Sequence, residues 1–175
     1  MKLMVFIGYH GTSESSAQNI LTVGIQERFL PAAGQIGRGF YVARMNGTLP
    51  HWGAEQATAE ARSKLPYFVR MVSLLTGEVN NPLIGIDARR TILKIYAVQP
   101  LVGCRWNIMN PPDLNVLKIL RYDNGGPGLA REDLELHCQW LQMVVPPDQL
   151  QYLHAERDDG IFEQPKNWFP NESPT

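Results

Sequence analysis

Phe6-Ile7-Gly8-Tyr9-His10-Gly11-Thr12 is an apolar run that ends in a histidine set between a tyrosine and a glycine. Working back from it, Leu3 to Tyr9 reads as the first strand. Working forward, Thr12 or Ser13 caps a helix, because a hydroxyl oxygen accepts from the open backbone N–H groups of a first turn. Glu14 falls in that turn, where its charge complements the helix dipole. Ala17, Ile20 and Leu21 share one helical face, and Gly24 stands where a helix-terminating glycine takes positive φ. The strand end therefore presents His10 and the backbone of Gly11 into a cleft. A histidine there serves either as a buried group bonded to a carbonyl or as a ligand group.

The remaining segments read as walls of that cleft. Ile25 to Leu30 is short and extended. Residues 31–38 form a loop rich in small residues, and Gly39-Phe40-Tyr41-Val42-Ala43 is a compact strand with an aromatic pair. Pro50 suits the first turn of a helix, and Ala54, Ala57 and Ala61 give it a small-residue stripe for close packing on a sheet. Leu65-Pro66 ends or kinks that helix. Tyr67 to Leu75 reads as either helix or strand, and Thr76 to Ile86 as a loop. Ile92 to Val98 alternates as a strand does, and Val116 to Tyr122 reads as another. Asp123 to Gly128 is a turn, Arg131 to Trp140 a helix, Met143-Val144-Val145 a short buried strand, and Pro147 to Leu153 a further helix. Short strands among a few helices, without a strand–helix–strand rhythm, give a mixed α+β class. The expected organisation is one domain over residues 1–156 and an irregular, polar, proline-bearing tail over 157–175.

Composition narrows the function classes. At 175 residues and 44% hydrophobic, the chain is large enough to bury a core. Its net charge of -1 provides no global field for nucleic acid or an anionic membrane, though Arg89, Arg90 and Lys94 leave a local basic patch open. Cys104 and Cys138 are too few for a disulfide framework or a metal cluster, which leaves a reduced, cytoplasmic setting as the default and a single bridge open. The apolar start is short and lacks a cleavage pattern, so it reads as a core strand, not a signal peptide. His51, His137 and His154 have no ligand-like spacing, and no metal is expected.

Val5 to Thr12, followed by Ala17-Gln18-Asn19-Ile20 and Gly24, resembles the start of the catalytic domain in the diphtheria-toxin-like, exotoxin A-like ADP-ribosyltransferases, with the poly(ADP-ribose) polymerases as more distant kin. Gly37-Arg38-Gly39-Phe40-Tyr41-Val42-Ala43 is similar to the family's second motif. The likeness is specific over residues 3 to 62, weaker through Ile92 to Val98 and thin beyond. It implies the ADP-ribosyltransferase fold, two small, mostly antiparallel sheets with flanking helices around an NAD cleft. It implies NAD as substrate, no metal, and transfer of ADP-ribose to a macromolecular acceptor with release of nicotinamide. Protein is the leading acceptor class, with nucleic acid as an alternative. Location is then cytoplasmic, or that of a delivered effector.

The resemblance also implies roles. Gly11 would read the nicotinamide carboxamide through its backbone, His10 would hold a ribose hydroxyl, and Thr12 would support it from the helix start. Tyr41 would stack on nicotinamide, with Ala43 leaving space beside it. Trp52, eleven residues after Tyr41, would close the other side of the ring where the toxins have tyrosine. Arg38 would meet the NAD phosphates, as a planar two-pronged donor can. The third motif departs from the family. In Trp140-Leu141-Gln142-Met143-Val144-Val145-Pro146, Gln142 falls where the family has its catalytic glutamate, unless Glu135 or Glu132 supplies the acid. An amide keeps a hydrogen bond to the ribose but loses the charge, a loss on the order of 10²–10³ in rate. Chain elongation is therefore not expected. A catalytically weak NAD-binding module is the competing expectation, and an enzyme of the same fold acting on RNA phosphate is a third.

Overall fold

The structure, a computed structural model, describes residues 3–32, 34, 37–44, 48–63, 80–81, 86–87, 89–110, 113–121 and 141–169. Strand β1 runs Val5–Ser13, past His10 and up to the helix, where the sequence suggests an end at Tyr9. The Ser13 side chain accepts from the Ser16 N–H and so caps helix α1, Glu14–Val23, which Gly24 closes at φ 84°. A 3₁₀ turn at Glu27–Phe29 replaces the extended stretch expected there. Strand β2 is Phe40–Ala43, and helix α2 is Thr48–Ser63, with Pro50 in its first turn, where a missing N–H costs no intrahelical bond.

The later strands are β3 (Asn80–Asn81), β4 (Ile86–Asp87), β5 (Arg90–Ala97), β6 (Arg105–Asn110), β7 (Asp113–Arg121), β8 (Leu141–Val145) and β9 (Leu153–Arg157). The class is α+β, and every described strand pairing is antiparallel. The expected pair of small sheets is corrected. Among the described residues, seven strands share one sheet in the order β7-β6-β8-β2-β1-β5-β9, and β3 and β4 form a separate ribbon. The two halves meet between β1 and β2 at one register pair, Tyr9 with Ala43. A register shift between Phe6 and Gly8 leaves Ile7 out of the β1–β5 ladder, on the same side of the join.

Two other expectations change. Pro147–Tyr152 is a 3₁₀ turn, not a helix, and it leads directly into β9. The boundary expected between 156 and 157 falls inside β9. Residues 158–169 carry no helix or strand, but they are not a loose tail. Lys166 N–H donates to the Phe6 carbonyl at 2.8 Å, and Leu101 N–H donates to the Trp168 carbonyl at 3.0 Å. Pro165, Asn167 and Phe169 are buried there. The helix expected over 131–140, the turn at 123–128 and the ambiguous segment 67–75 lie outside the described residues.

The core joins Val5 and Ile7 of β1, Phe40 and Val42 of β2, Leu93 and Ile95 of β5, and Met143 and Val145 of β8, with Ala17, Leu101, Leu150 and Phe169 around them. Cys104 belongs to this core, and burial pushes its thiol up to about 12, so it packs and does not react. The basic patch left open at Arg89, Arg90 and Lys94 does not form. Lys94 is buried against Asp159 at 2.8 Å, and Arg90 pairs with Glu55. Among the described residues no helix is long and apolar enough to cross a membrane.

Glu14 does more than sit at the helix start. It is buried, and it accepts from Arg157 on β9 at 2.5 and 3.0 Å and from the Thr91 hydroxyl at 2.5 Å. The Arg157 contact, aided by Thr91 and opposed by burial, holds its carboxyl down to about 2. The folded pKa lies below the unfolded one, so this stabilisation is present above about pH 4.5 and is lost as pH falls toward 2. Arg157 is half exposed and partly screened, so roughly 1–2 kcal/mol is expected from the cluster. Urea midpoints measured from pH 6 to pH 2.5 should fall less steeply for Glu14→Gln than for the unmodified chain.

Candidate active site

The site is built where β1, β2 and β8 meet. His10 Nδ1 lies 2.7 Å from the Tyr41 carbonyl oxygen. A carbonyl only accepts, so Nδ1 carries the hydrogen and Nε2 is left with a lone pair. Burial presses the imidazole down to about 4, against the opposing pull of that carbonyl, so it is neutral at physiological pH. The Phe40 ring stacks on it at 4.1 Å between centroids, which fixes the ring plane. Nε2 has no protein partner among the described residues. His10 is thus both things the sequence allows, a histidine bonded to a carbonyl and an oriented acceptor with one nitrogen open.

Gln142 lies on β8 directly across from Ala43 on β2, and Val144 lies across from Tyr41. Residues opposite each other project on the same face of a sheet, and so do residues two apart on one strand. Tyr41, Ala43, Gln142 and Val144 therefore share a face. Gln142 is 8% exposed, and its amide, with no hydrogen bond among the described residues, keeps contact with solvent: the fully buried side-chain polar atom that lacks a hydrogen bond there is Arg44 Nε. Tyr41 is half-buried, and its hydroxyl donates to the Gly37 carbonyl at 2.6 Å.

Gly11 sits in β1 against the first turn of α2. A Cβ there would overlap the Pro50 carbonyl. The sequence reading gave that glycine to ligand approach, and the packing of α2 is already a sufficient reason for it. Gly53 in turn rests near the Gly11 carbonyl, so half-buried Trp52 belongs to the helical turn that touches Gly11. Thr12 is buried in β1 beside the Ser13 cap. Arg38 is turned elsewhere. Its guanidinium donates to the Glu27 carboxylate at 3.0 Å and to the Glu27 carbonyl at 3.1 Å, which ties the loop to the 3₁₀ turn. Glu132 and Glu135, the alternative acids, lie outside the described residues.

Sequence reasoning overlooked Arg105. It opens β6 and lies across from Val144, in one row with Val144 and Tyr41. No short motif marks it, because its relevance comes from pairing between strands far apart in the chain. Comparison with protein-family models, with curated proteins and with solved structures returns no significant match.

Proposed function

We propose that this chain is an NAD-dependent mono-ADP-ribosyltransferase. The observation that carries the reading is the grouping of His10, Tyr41 and Gln142. Tyr41 and Gln142 share one face of β2 and β8, and the neutral His10 on β1 bonds the Tyr41 carbonyl, with its Nε2 left without a partner among the described residues. These are the residue types that the family resemblance assigns to gripping a nicotinamide riboside.

In this reading Nε2 of His10 accepts from a ribose hydroxyl, the Tyr41 ring lies along nicotinamide, and Gln142 Oε1 accepts from the ribose 2′-hydroxyl. The bond between C1′ and the nicotinamide nitrogen breaks, and its electron pair leaves with nicotinamide. The positive ribose is then attacked at C1′ by a nucleophile of the acceptor, whose proton passes to solvent. Gln142 contributes a dipole where a carboxylate would contribute a charge, so turnover is slow and single transfers are favoured. Thr12 supports the grip from the strand end, Gly11 offers backbone groups to the carboxamide, Ala43 leaves room beside Tyr41, and Trp52 is the second aromatic.

A second reading rests on the same amide: the chain binds NAD and does not turn it over. One experiment separates the two. The protein is incubated with labelled NAD and a cell lysate, and label on macromolecules and free nicotinamide are both measured. The enzyme predicts both products in the unmodified chain and a gain on the order of 10² with Gln142→Glu, which restores the charge. NAD binding with no product until Gln142→Glu is introduced selects the binding module. Label released by nuclease would move the acceptor to nucleic acid. No NAD binding in either form would sink both readings.

A further inference from the structure

We infer that Arg105, not Arg38, is the cation that receives the pyrophosphate of a bound dinucleotide. The inference rests on the NAD reading of the site above. Arg38 is an unsuitable candidate because both ends of its guanidinium are engaged by Glu27. Arg105 is only partly buried and has no ion pair or hydrogen bond among the described residues. Among the described residues no such pair has to be broken for it to meet a ligand.

Its placement is also built, not incidental. Gly37 takes φ 100°, and a side chain there would collide with the Arg105 guanidinium, at both terminal nitrogens and the carbon between them. Gly37 N–H closes a turn onto the Gly34 carbonyl at 3.1 Å, and the Gly37 carbonyl accepts from the Tyr41 hydroxyl. A Cβ at Gly34 would collide with the Tyr41 phenol oxygen. Gly34 therefore packs against the phenol of Tyr41 and Gly37 against the guanidinium of Arg105, and a Cβ at either would meet those groups.

The register fixes the direction. Tyr41 on β2 and Arg105 on β6 flank Val144 on β8, so both project from one face, two strands or about 10 Å apart. A nicotinamide on Tyr41, with its ribose toward His10 and Gln142, has to continue into a diphosphate. Leaving along the phenol edge of Tyr41, that diphosphate meets the Arg105 guanidinium. A planar fork pairs with two phosphate oxygens at once.

The test uses the full chain and three probes: NAD, ADP-ribose and nicotinamide, with binding followed by calorimetry. Arg105→Gln should weaken NAD and ADP-ribose by roughly ten- to a hundredfold, the usual range for losing a charge-assisted pair, and leave nicotinamide unchanged. Arg105→Lys, which keeps the charge and loses the fork, should recover part of the loss. Arg38→Gln should change all three by less than twofold. Thermal melts of the variants verify that each is folded. If Arg105→Gln binds NAD like the unmodified chain, or if it changes only the apparent affinity for the acceptor, Arg105 does not hold the pyrophosphate while the NAD reading stands. If the unmodified chain binds none of the three probes, the NAD reading fails and this inference fails with it.

Discussion

Replacing His10 by alanine is expected to lower transfer from NAD by about 10³, close to the full effect of losing a positioned polar group at a developing charge. Alanine removes two things at once, the bond to the Tyr41 carbonyl and the open Nε2. Two further variants separate them. Asparagine places an amide N–H near the Nδ1 position, so His10→Asn should keep the link to β2 and still lose activity. Glutamine extends an acceptor toward the Nε2 position, so His10→Gln should recover part of the activity with a weaker link. If His10→Asn were as active as the unmodified chain, the imidazole would be a strut between strands and nothing more.

The same residue sets an expected pH response. Its folded pKa lies well below the ordinary 6.5, at about 4, because burial disfavours the cation. For a base the sign is as follows: the unfolded chain takes up the proton first, so the neutral folded form loses ground as pH falls from 6.5 toward 4. Above that window Nε2 keeps its lone pair. NAD binding should therefore show no step between pH 6 and 8, where an unperturbed histidine would show one, and should weaken below about pH 5. Titrating binding by calorimetry across pH 4.5–8 checks this.

The second large effect concerns Arg44, which is 2% exposed immediately after β2. It donates to the Ile7 carbonyl at 2.6 Å, to the Lys166 carbonyl at 3.1 Å and to Asn167 Oδ1 at 2.7 Å. Ile7 is the residue that the irregularity in β1 drops from its ladder, so Arg44 supplies the donor that the sheet does not. Arg44→Met fills similar volume and withdraws all three donors. We expect a loss of about 3–5 kcal/mol, since each orphaned acceptor in the interior costs about 1–3 kcal/mol and some relaxation recovers part of it. Urea unfolding measures it. Limited proteolysis should then cut first near Lys166, because Arg44 and the Phe6 carbonyl both hold that segment down. Since a domain of this size is stable by only about 5–15 kcal/mol, such a loss leaves little margin.

Much of the first half of the fold was legible in local pattern. The apolar run into β1, the Ser13 cap, the Gly24 stop, the aromatic strand β2 and the proline-started α2 all follow from chemistry within a few residues. What was missed is what only neighbours can specify. β9 reads as Leu-His-Ala-Glu-Arg, too polar for a buried strand, because it lies at the sheet edge, where one face and one flank meet water. Pro147 does open a helical turn, but the segment stays 3₁₀ over Pro147–Tyr152 and passes straight into β9. The site divides the same way. Tyr41 and Gln142 stand at motif positions, and the register puts them on one face, whereas the β1 residue it sets opposite Ala43 is Tyr9, the neighbour of His10. The pairing of Arg38 with Glu27 and the availability of Arg105 depend on which charges meet after folding, and no window of sequence contains that.

The strap formed by residues 158–169 has a consequence for how the protein is made. His10 and Tyr41 are synthesised more than a hundred residues before Lys166 and Asn167. The groups that seat their strands come from the far end of the chain: Lys166 on Phe6, Asn167 on Arg44, β9 against β5. Chains are synthesised at about 5–20 residues per second, so several seconds separate the two ends. During that interval the first strands have no completed cleft to offer a dinucleotide. A nascent chain stalled before the strap should be unable to bind NAD, and competence should arrive only once these long-range contacts can close.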